Sequence, residues 1–261
     1  MKLLRKLFSG FIIFFLCCMA TAQTQIPNVN ADYMKLDPYG NIYAVKGAQL
    51  FKFSIDGKLL SQFSDHTLGT ISSIDVFNPM KIMLFYKDAG TLVFLNEQLA
   101  HIQDPIYLFD YNYYTISLAS YSAANQIHLY DHVNKYLLTL DFFMRELYRT
   151  PLNFPAFHPI QMIELEEKSL AFHVPDTGIY LLDSFGTFNK LLRMATEQPV
   201  VVTGDLIYYS KNNEVVIYNY KTLSTDTQQL PISDVAQALF YRNKMVFLLN
   251  DGTLWIYINK I

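Results

Sequence analysis

The sequence predicts an all-β fold, and three observations support this prediction. Aromatic residues make up 15% of the 261 residues and charged residues only 16%, a composition that suits half-buried or fully buried strands. Residues 36–63, LDPYGNIYAVKGAQLFKFSIDGKLLSQF, contain three short apolar runs separated by turn signals at 38–40, 46–48 and 56–57. Glycine, asparagine and aspartate tolerate the positive φ angles of tight hairpins, so this segment predicts a meander of short antiparallel strands.

The third observation is that the meander recurs five more times, at residues 81–102, 126–149, 169–192, 206–230 and 244–261. One apolar position marks the second strand of every copy, and successive markers are 36–45 residues apart: Leu50, Leu92, Leu137, Tyr180, Val216 and Leu254. A period of about forty residues with several strands per unit is typical of β-propeller blades. Runs such as YLLTL are apolar on both faces, as expected of strands covered on both sides by neighbouring blades.

We therefore predict a six-bladed β-propeller whose last blade is completed by the N-terminal segment of the mature chain. The first strand of each blade is expected to line the central channel, at residues 32–36, 72–76, 115–119, 161–165, 200–203 and 235–239. The sixth copy stops at Ile261, directly after its third strand. The segment at residues 25–28 is expected to pair beside residues 254–258, because an open strand edge would otherwise remain.

Other architectures fit less well. An outer-membrane barrel needs strands of about 9–11 residues with one polar face, whereas these strands are shorter and apolar on both faces. A β-sandwich and a propeller of five or seven blades remain alternatives.

The N-terminus predicts a secretory signal peptide at residues 1–22, followed by a single propeller domain at residues 23–261. Basic residues precede an apolar run at residues 11–20 that is too short to span a bilayer, and Ala20-Thr21-Ala22 fits a cleavage site. Cys17 and Cys18 lie inside this leader without the small residue that usually precedes a lipidated cysteine, so a free Gln23 is the favoured N-terminus. We expect an exported protein, periplasmic or outer-membrane associated, with no transmembrane segment in the mature chain.

The net charge of the chain argues against one class of partner. Without the leader, the sequence has 17 basic and 23 acidic side chains and contains no basic run, which argues against nucleic acid as a partner.

Residues 36–60 resemble an NHL repeat. They contain an Asp-x-x-Gly-Asn-Ile-Tyr-x-Val opening that begins at Asp37, and a Phe-x-x-Asp-Gly-Lys exit turn that begins at Phe53. The resemblance is specific in the first blade alone. It implies a six-bladed propeller and leaves the activity open, since NHL-like propellers include protein-binding modules, nucleic-acid-binding modules and a few enzymes.

The candidate residues of the central channel, which we also call the shaft, lie at the starts of the inner strands. They are mostly neutral: Asp32, Ser72, Thr115, Gln161 and Gln237. Neutral side chains make a poor cage for a divalent cation. No nucleophile elbow, phosphate-binding loop or dinucleotide fingerprint occurs, so no catalytic residue, metal or cofactor is predicted.

Two segments rich in histidine or acidic residues are candidate metal sites, but a surface position explains each of them better. His128, Asp131 and His132 are expected at a surface hairpin tip rather than at a metal site. The acidic residues Glu164, Glu166 and Glu167 are expected in a solvated turn.

Aromatic loops between the blades are the candidate binding surface: Tyr111, Tyr113, Tyr114, Tyr148, Phe154 and Phe157. Such rings suit contacts with proteins or sugars because they offer a large area at small entropy cost, although packing between blades is the alternative. The proline-rich loop at residues 151–159 is expected to be exposed.

The favoured hypothesis is a non-catalytic propeller that serves as a protein-binding or scaffold subunit in a bacterial cell envelope, with a protein partner in an outer-membrane or periplasmic complex. The alternative is a hydrolase, a lactonase or a carbohydrate-binding module that uses the central shaft.

Overall fold

The computed structural model describes residues 23–27, 29–122, 124–165, 169–194, 196 and 199–258. The predicted signal peptide at residues 1–22, as well as Glu166 and Glu167 of the acidic segment, lies outside these residues. The described part contains strands, turns and one short 3-10 helix (Leu108–Tyr111), and no α-helix. Within it, no helix has the length and apolar character needed to cross a bilayer.

Six four-stranded antiparallel sheets form a six-bladed β-propeller, as the sequence predicts. The chain opens with β1 (Gln23–Ile26), and the first three blades follow it. Blade 1 contains β2 (Tyr33–Leu36), β3 (Ile42–Lys46), β4 (Gln49–Phe53) and β5 (Leu59–Ser64). Blade 2 contains β6 (Ser73–Asp75), β7 (Ile82–Tyr86), β8 (Thr91–Leu95) and β9 (Ile106–Tyr107). Blade 3 contains β10 (Ile116–Tyr121), β11 (Gln126–Asp131), β12 (Tyr136–Asp141) and β13 (Glu146–Pro151).

The second half of the chain repeats this pattern. Blade 4 contains β14 (Gln161–Glu164), β15 (Leu170–Val174), β16 (Gly178–Leu182) and β17 (Phe188–Leu192). Blade 5 contains β18 (Val201–Thr203), β19 (Leu206–Lys211), β20 (Glu214–Asn219) and β21 (Ser224–Gln229). Blade 6 contains β22 (Val235–Tyr241), β23 (Lys244–Leu249) and β24 (Leu254–Ile258), with β1 as its outer strand.

Among the described residues, the core consists of six apolar clusters, each between two consecutive blades. Strand β7 shows how one strand serves two clusters. Ile82, Leu84 and Tyr86 pack between blades 1 and 2, whereas Met83 and Phe85 pack between blades 2 and 3. Successive side chains of a strand point to opposite faces, so a run that is apolar throughout buries both faces. The predicted two-sided burial is therefore confirmed.

The ring is closed by β1, which pairs antiparallel with β24. Gln23 lies opposite Tyr257 and Ile26 opposite Leu254, so the pairing uses residues 23–26 where the sequence suggested 25–28. Ile26 is only 1% exposed and belongs to the cluster between blades 6 and 1. The Lys244 ammonium also pairs with the Asp56 carboxylate across the same junction.

The inner strands are β2, β6, β10, β14, β18 and β22, in agreement with the prediction to within a few residues. Neighbouring inner strands contact each other around the channel, as β6 does with β10 and β22 with β2. In every antiparallel blade, the hairpin between the second and third strands lies at the same end as the connection from the preceding blade. We call this end of the propeller the connection face.

Candidate binding cleft and central channel

A cleft of about 380 Å³ opens between blades 2 and 3 on the connection face. The 3-10 helix and the loop after it supply one wall, and the hairpin and outer strands of blade 3 supply the rest. The lining combines aromatic, amide and charged side chains: Tyr111, Asn112, Tyr113, Asp131, Asn134, Tyr136, Leu138 and Arg149. The structure thus places two of the predicted rim tyrosines, Tyr111 and Tyr113, in one cleft.

The tyrosine wall is positioned by the end of the 3-10 helix. Leu108 is fully buried and anchors the helix in the cluster between blades 2 and 3. Asn112 follows the helix with φ 64°, and its N–H donates to the Phe109 carbonyl at 3.0 Å. Asparagine adopts this left-handed conformation more readily than most residues, so the chain reverses here. The reversal presents the residues on either side of Asn112 to the cleft.

The opposite wall is built around Arg149. Its Nε and Nη2 donate to the two Glu146 oxygens at 3.0 and 2.6 Å, and its guanidinium carbon lies 5.7 Å from the centre of the Tyr136 ring. The hydrogen bonds to Glu146 raise the pKa of Arg149. Burial raises the pKa of Tyr113, and the Glu146 carboxylate raises it further. Hydrogen bonds and a ring contact therefore hold the Arg149 wall in place, and the same Glu146 carboxylate lies close to Tyr113 of the tyrosine wall.

The floor of the cleft is held by Asp131. Its carboxylate accepts hydrogen bonds from the Thr115 hydroxyl at 2.7 Å, the Val133 and Asn134 N–H groups, and the Asn134 amide. Burial alone would raise the pKa of Asp131, but these bonds outweigh it and hold the pKa below its usual value. A carboxylate engaged in this way orders the hairpin and has little capacity left to act as a base.

The cleft therefore suits contact rather than catalysis. The carboxylates of Asp131, which lines the cleft, and of Glu146, which bonds to Arg149, are bonded to groups of the protein itself. What it offers to a ligand is aromatic surface beside a guanidinium group. Tyrosine and arginine are enriched among the residues that contribute most to binding energy in protein interfaces.

The other predicted rim residues lie outside the cleft. Tyr114 is 72% exposed, and its hydroxyl donates to the Asn112 side chain at 3.0 Å. Tyr148 is exposed and makes an edge contact with Phe185 of blade 4, at 5.7 Å between ring centres.

The prediction that Phe157 faces a partner is wrong. Phe157 is only 2% exposed and packs against Tyr130, Phe172 and Tyr180 between blades 3 and 4. Phe154 is partly buried against the same cluster. The loop at residues 151–159 turns inward at Leu152 and Phe157 because their apolar side chains fill the gap between two blades, so the expected exposure of the loop holds for only part of it.

Three of the predicted shaft residues lie on the connection face, and each bonds to the hairpin of its own blade. Asp32 accepts from the Lys46 ammonium at 2.7 Å and from the Gly47 N–H at 2.8 Å. Burial would raise its pKa, but these two partners hold the pKa below its usual value. Ser72 accepts from the Lys87 N–H at 3.0 Å, and Thr115 donates to Asp131.

The two shaft glutamines bridge neighbouring blades. The Gln161 side chain accepts from the Val200 N–H at 3.0 Å and donates to the Val200 carbonyl at 2.9 Å. The Gln237 side chain accepts from the Met34 N–H at 3.0 Å. An innermost strand has a free backbone edge, and these amides supply the hydrogen-bond partners that it lacks. The hydrogen bonds described for the five predicted shaft residues join no two of them to each other.

The sequence analysis missed two charged residues of the inner strands. Asp75 accepts from the Phe77 N–H at 3.1 Å and from the Tyr121 N–H of the next blade at 3.3 Å. Burial raises the pKa of Asp75, while the same backbone groups and the charge of Lys35 oppose the shift. Burial likewise lowers the pKa of Lys35 against the attraction of Asp75. The signal in the sequence that could have revealed Asp75 and Lys35 is a charged residue inside an inner strand of only three or four residues.

The expected surface position of His128 is also wrong. His128 is 3% exposed, and its Nδ1 lies 3.1 Å from the Thr139 hydroxyl, whereas His132 is exposed and bonds to the Thr115 carbonyl. Position 128 falls in the buried part of β11, which extends further along the chain than the turn signal suggested. In the described part of the chain, no three histidine, cysteine, aspartate or glutamate side chains form a group that could hold a metal ion.

Comparison with known proteins supports the fold. No protein-family model matches the sequence, and no curated protein matches it. Three solved structures illustrate the similarity in fold. The WD40 domain of Neurospora crassa Pan2 has a TM-score of 0.65 at 11% identity, covering 92% of this chain and 96% of that one. Streptogramin B lyase has a TM-score of 0.58 at 11% identity, and the match covers 92% of this chain and 88% of the lyase chain. PorZ of Porphyromonas gingivalis has a TM-score of 0.57 at 14% identity, covering 89% of this chain and 37% of that chain.

Identities this low establish the propeller fold alone. The three proteins differ in role, since one is named as a lyase and another as a surface component of a secretion system. Function therefore has to be argued from the site rather than from the fold.

Proposed function

We propose that this protein is a non-catalytic propeller that binds a protein partner in the cleft between blades 2 and 3. The observation that supports the proposal is the combination of Tyr111, Tyr113, Tyr136 and Arg149 in one concave site. Rigid rings beside a guanidinium group give a large contact area, and little entropy is lost because the walls are already ordered. A loop or an extended segment of a partner fits a cleft of this size and polarity.

We further propose that the protein works in the cell envelope as a subunit of a larger assembly. The predicted leader supports export. PorZ, a propeller-containing protein, is described as an essential bacterial surface component of the type-IX secretion system. This similarity in fold is compatible with an envelope role for the present chain.

Carbohydrate is a second candidate ligand, because tyrosine rings beside asparagine and arginine side chains also suit sugar faces. A hydrolase or lactonase centred on the channel has less support. Asp32, Ser72 and Thr115 are bonded to groups of their own blades, and Gln161 and Gln237 to neighbouring backbone.

Site-specific photo-crosslinking in the native cell tests the proposal. A photoreactive phenylalanine analogue at position 111 is expected to give one defined protein adduct. The same analogue at Tyr39, which is equally aromatic and strongly exposed but lies at the opposite end of blade 1, is the matched control. With the adduct identified, Tyr113→Ala and Arg149→Ala should each weaken binding of that protein tenfold or more.

Two results would contradict a protein partner in the cleft: no adduct at position 111, or the same adducts at positions 111 and 39. Binding of a defined glycan that is lost in Tyr111→Ala would favour the carbohydrate candidate instead.

A further inference from the structure

The outer strands of the six blades are exposed edges, and five of them are protected against pairing with another chain. Strands β5, β13 and β17 each contain a β-bulge, at Leu60, Leu147 and Asn189. Strand β9 has only two residues, and β1 has four and is followed by Pro27. Bulges, short length and proline are the devices by which proteins prevent edge-to-edge association.

The outer strand of blade 5 lacks these devices. All six residues of β21 pair with β20 without a register shift, and all six are exposed. Its sequence, STDTQQ, contains no lysine, arginine or proline. Asp226 is its one charged residue.

The residue that follows β21 shows which N–H groups of the strand point towards β20 and which point away from it. The Leu230 N–H donates to the Asn213 carbonyl across the same ladder at 3.1 Å. Inward and outward N–H groups alternate in an antiparallel strand, so those of Thr225, Thr227 and Gln229 face away from β20. In agreement, the Thr227 N–H donates to the Asp226 carboxylate at 2.9 Å. That single side-chain contact is the only protection this edge has among its described contacts.

We propose that β21 pairs antiparallel with the β21 of a second copy of this chain, about a two-fold axis at Thr227. This register sets Thr227 opposite Thr227 of the second copy and Asp226 opposite Gln228, and it brings all the outward N–H groups into pairs. A carboxylate opposite an amide can accept a hydrogen bond, and threonine pairs across strands are favourable. A slip by one residue in each copy would instead set the two Asp226 carboxylates opposite each other, which is unfavourable.

This self-complementarity identifies a second copy as the occupant of the edge. The strand carries no cation, and its one anion is matched by its own Gln228 in the favoured register. Six paired residues form an interface below roughly 1,200 Å², which belongs to the weak and transient class. Blade 5 lies across the ring from the cleft of blades 2 and 3, so the dimer would leave both clefts open and could bind a repeated partner bivalently.

Cysteine trapping tests the dimer in the full chain with Cys17 and Cys18 replaced by serine. Thr227→Cys places two thiols across the axis, at the Cα separation of about 5.5 Å that a disulfide accepts, so a covalent dimer should form on mild oxidation. Thr225→Cys is the matched control, because its copies lie about 14 Å apart in this register. A covalent dimer in the first variant alone supports the proposal, and no dimer in either variant, or equal amounts in both, overturns it.

Sedimentation velocity provides an independent readout. The unmodified protein should show dimer that increases with concentration up to the millimolar range. Thr227→Pro removes an outward N–H and should abolish the dimer. Gln62→Pro on the bulged strand β5 is the control and should leave association unchanged. Self-association that is insensitive to Thr227→Pro would overturn the proposal, whatever the outcome of crosslinking at the cleft.

Discussion

Removal of residues 23–27 is expected to destabilise the whole propeller, because these residues include the outer strand that closes the ring. The deletion exposes Leu254 and Ile256 of blade 6, removes the buried Ile26 and leaves β24 as an open edge. Truncating one buried isoleucine to alanine costs about 2–5 kcal/mol, and the lost backbone pairing adds to this. We therefore expect the free energy of unfolding, measured with urea, to fall by at least about 4 kcal/mol.

The control keeps β1 but removes its exposed side chains. Gln23, Thr24 and Gln25 are exposed, so their replacement by alanine should change the free energy of unfolding by no more than about 0.5 kcal/mol. If the deletion variant has the same midpoint of urea unfolding as the triple substitution and the unaltered chain, β1 does not close the ring.

Acid is expected to destabilise the protein through His128. Burial lowers the pKa of His128 to about 4, whereas an exposed histidine in the unfolded chain titrates near 6.5. Between these two values the unfolded state binds the extra proton, so the stability conferred by the neutral side chain is lost as the pH falls from about 6.5 towards 4. At about 1.4 kcal/mol per unit, the loss attributable to His128 reaches about 3 kcal/mol.

Urea unfolding of His128→Gln at several pH values checks this prediction. Glutamine can still hydrogen bond to the Thr139 hydroxyl but does not titrate, so the dependence of stability on pH should become shallower in this window. His132→Gln is the matched control, because His132 lies exposed just after the same strand and the same substitution there removes no buried histidine. An unchanged slope in His128→Gln would assign acid sensitivity to other groups, such as the buried His173, whose pKa is also lowered by burial.

Much of the fold could be predicted because each blade repeats the same local chemistry. Positive-φ glycines such as Gly57 and Gly252 mark hairpins that the sequence alone reveals. Doubly apolar runs such as β7 and β8 show that both faces are covered. Closure by the N-terminal strand was predictable because the sixth copy lacks an outer strand. The exact register was not, since a four-residue polar strand carries almost no pattern.

The candidate site was only partly predictable. Tyr111 and Tyr113 stand out as aromatics in a loop, and the structure places both in the cleft. Tyr136 and Arg149 come from strands of the next blade, where alternation alone does not tell which side chains reach an opening between blades. Phe157 lies in a proline-rich loop that resembles a surface loop in sequence, but its ring enters the core because the gap between blades 3 and 4 needs apolar volume.

A disulfide trap between Gln25 and Trp255 tests the closed six-bladed ring most directly. The two residues are paired Cα partners in β1 and β24, so Gln25→Cys with Trp255→Cys, in a chain with Cys17 and Cys18 replaced by serine, should form an intramolecular disulfide. The control pairs Gln25→Cys with Ser224→Cys on the open edge of blade 5. The closed ring predicts a disulfide in the first variant and none in the second. A disulfide with position 224, or none with position 255, would contradict it.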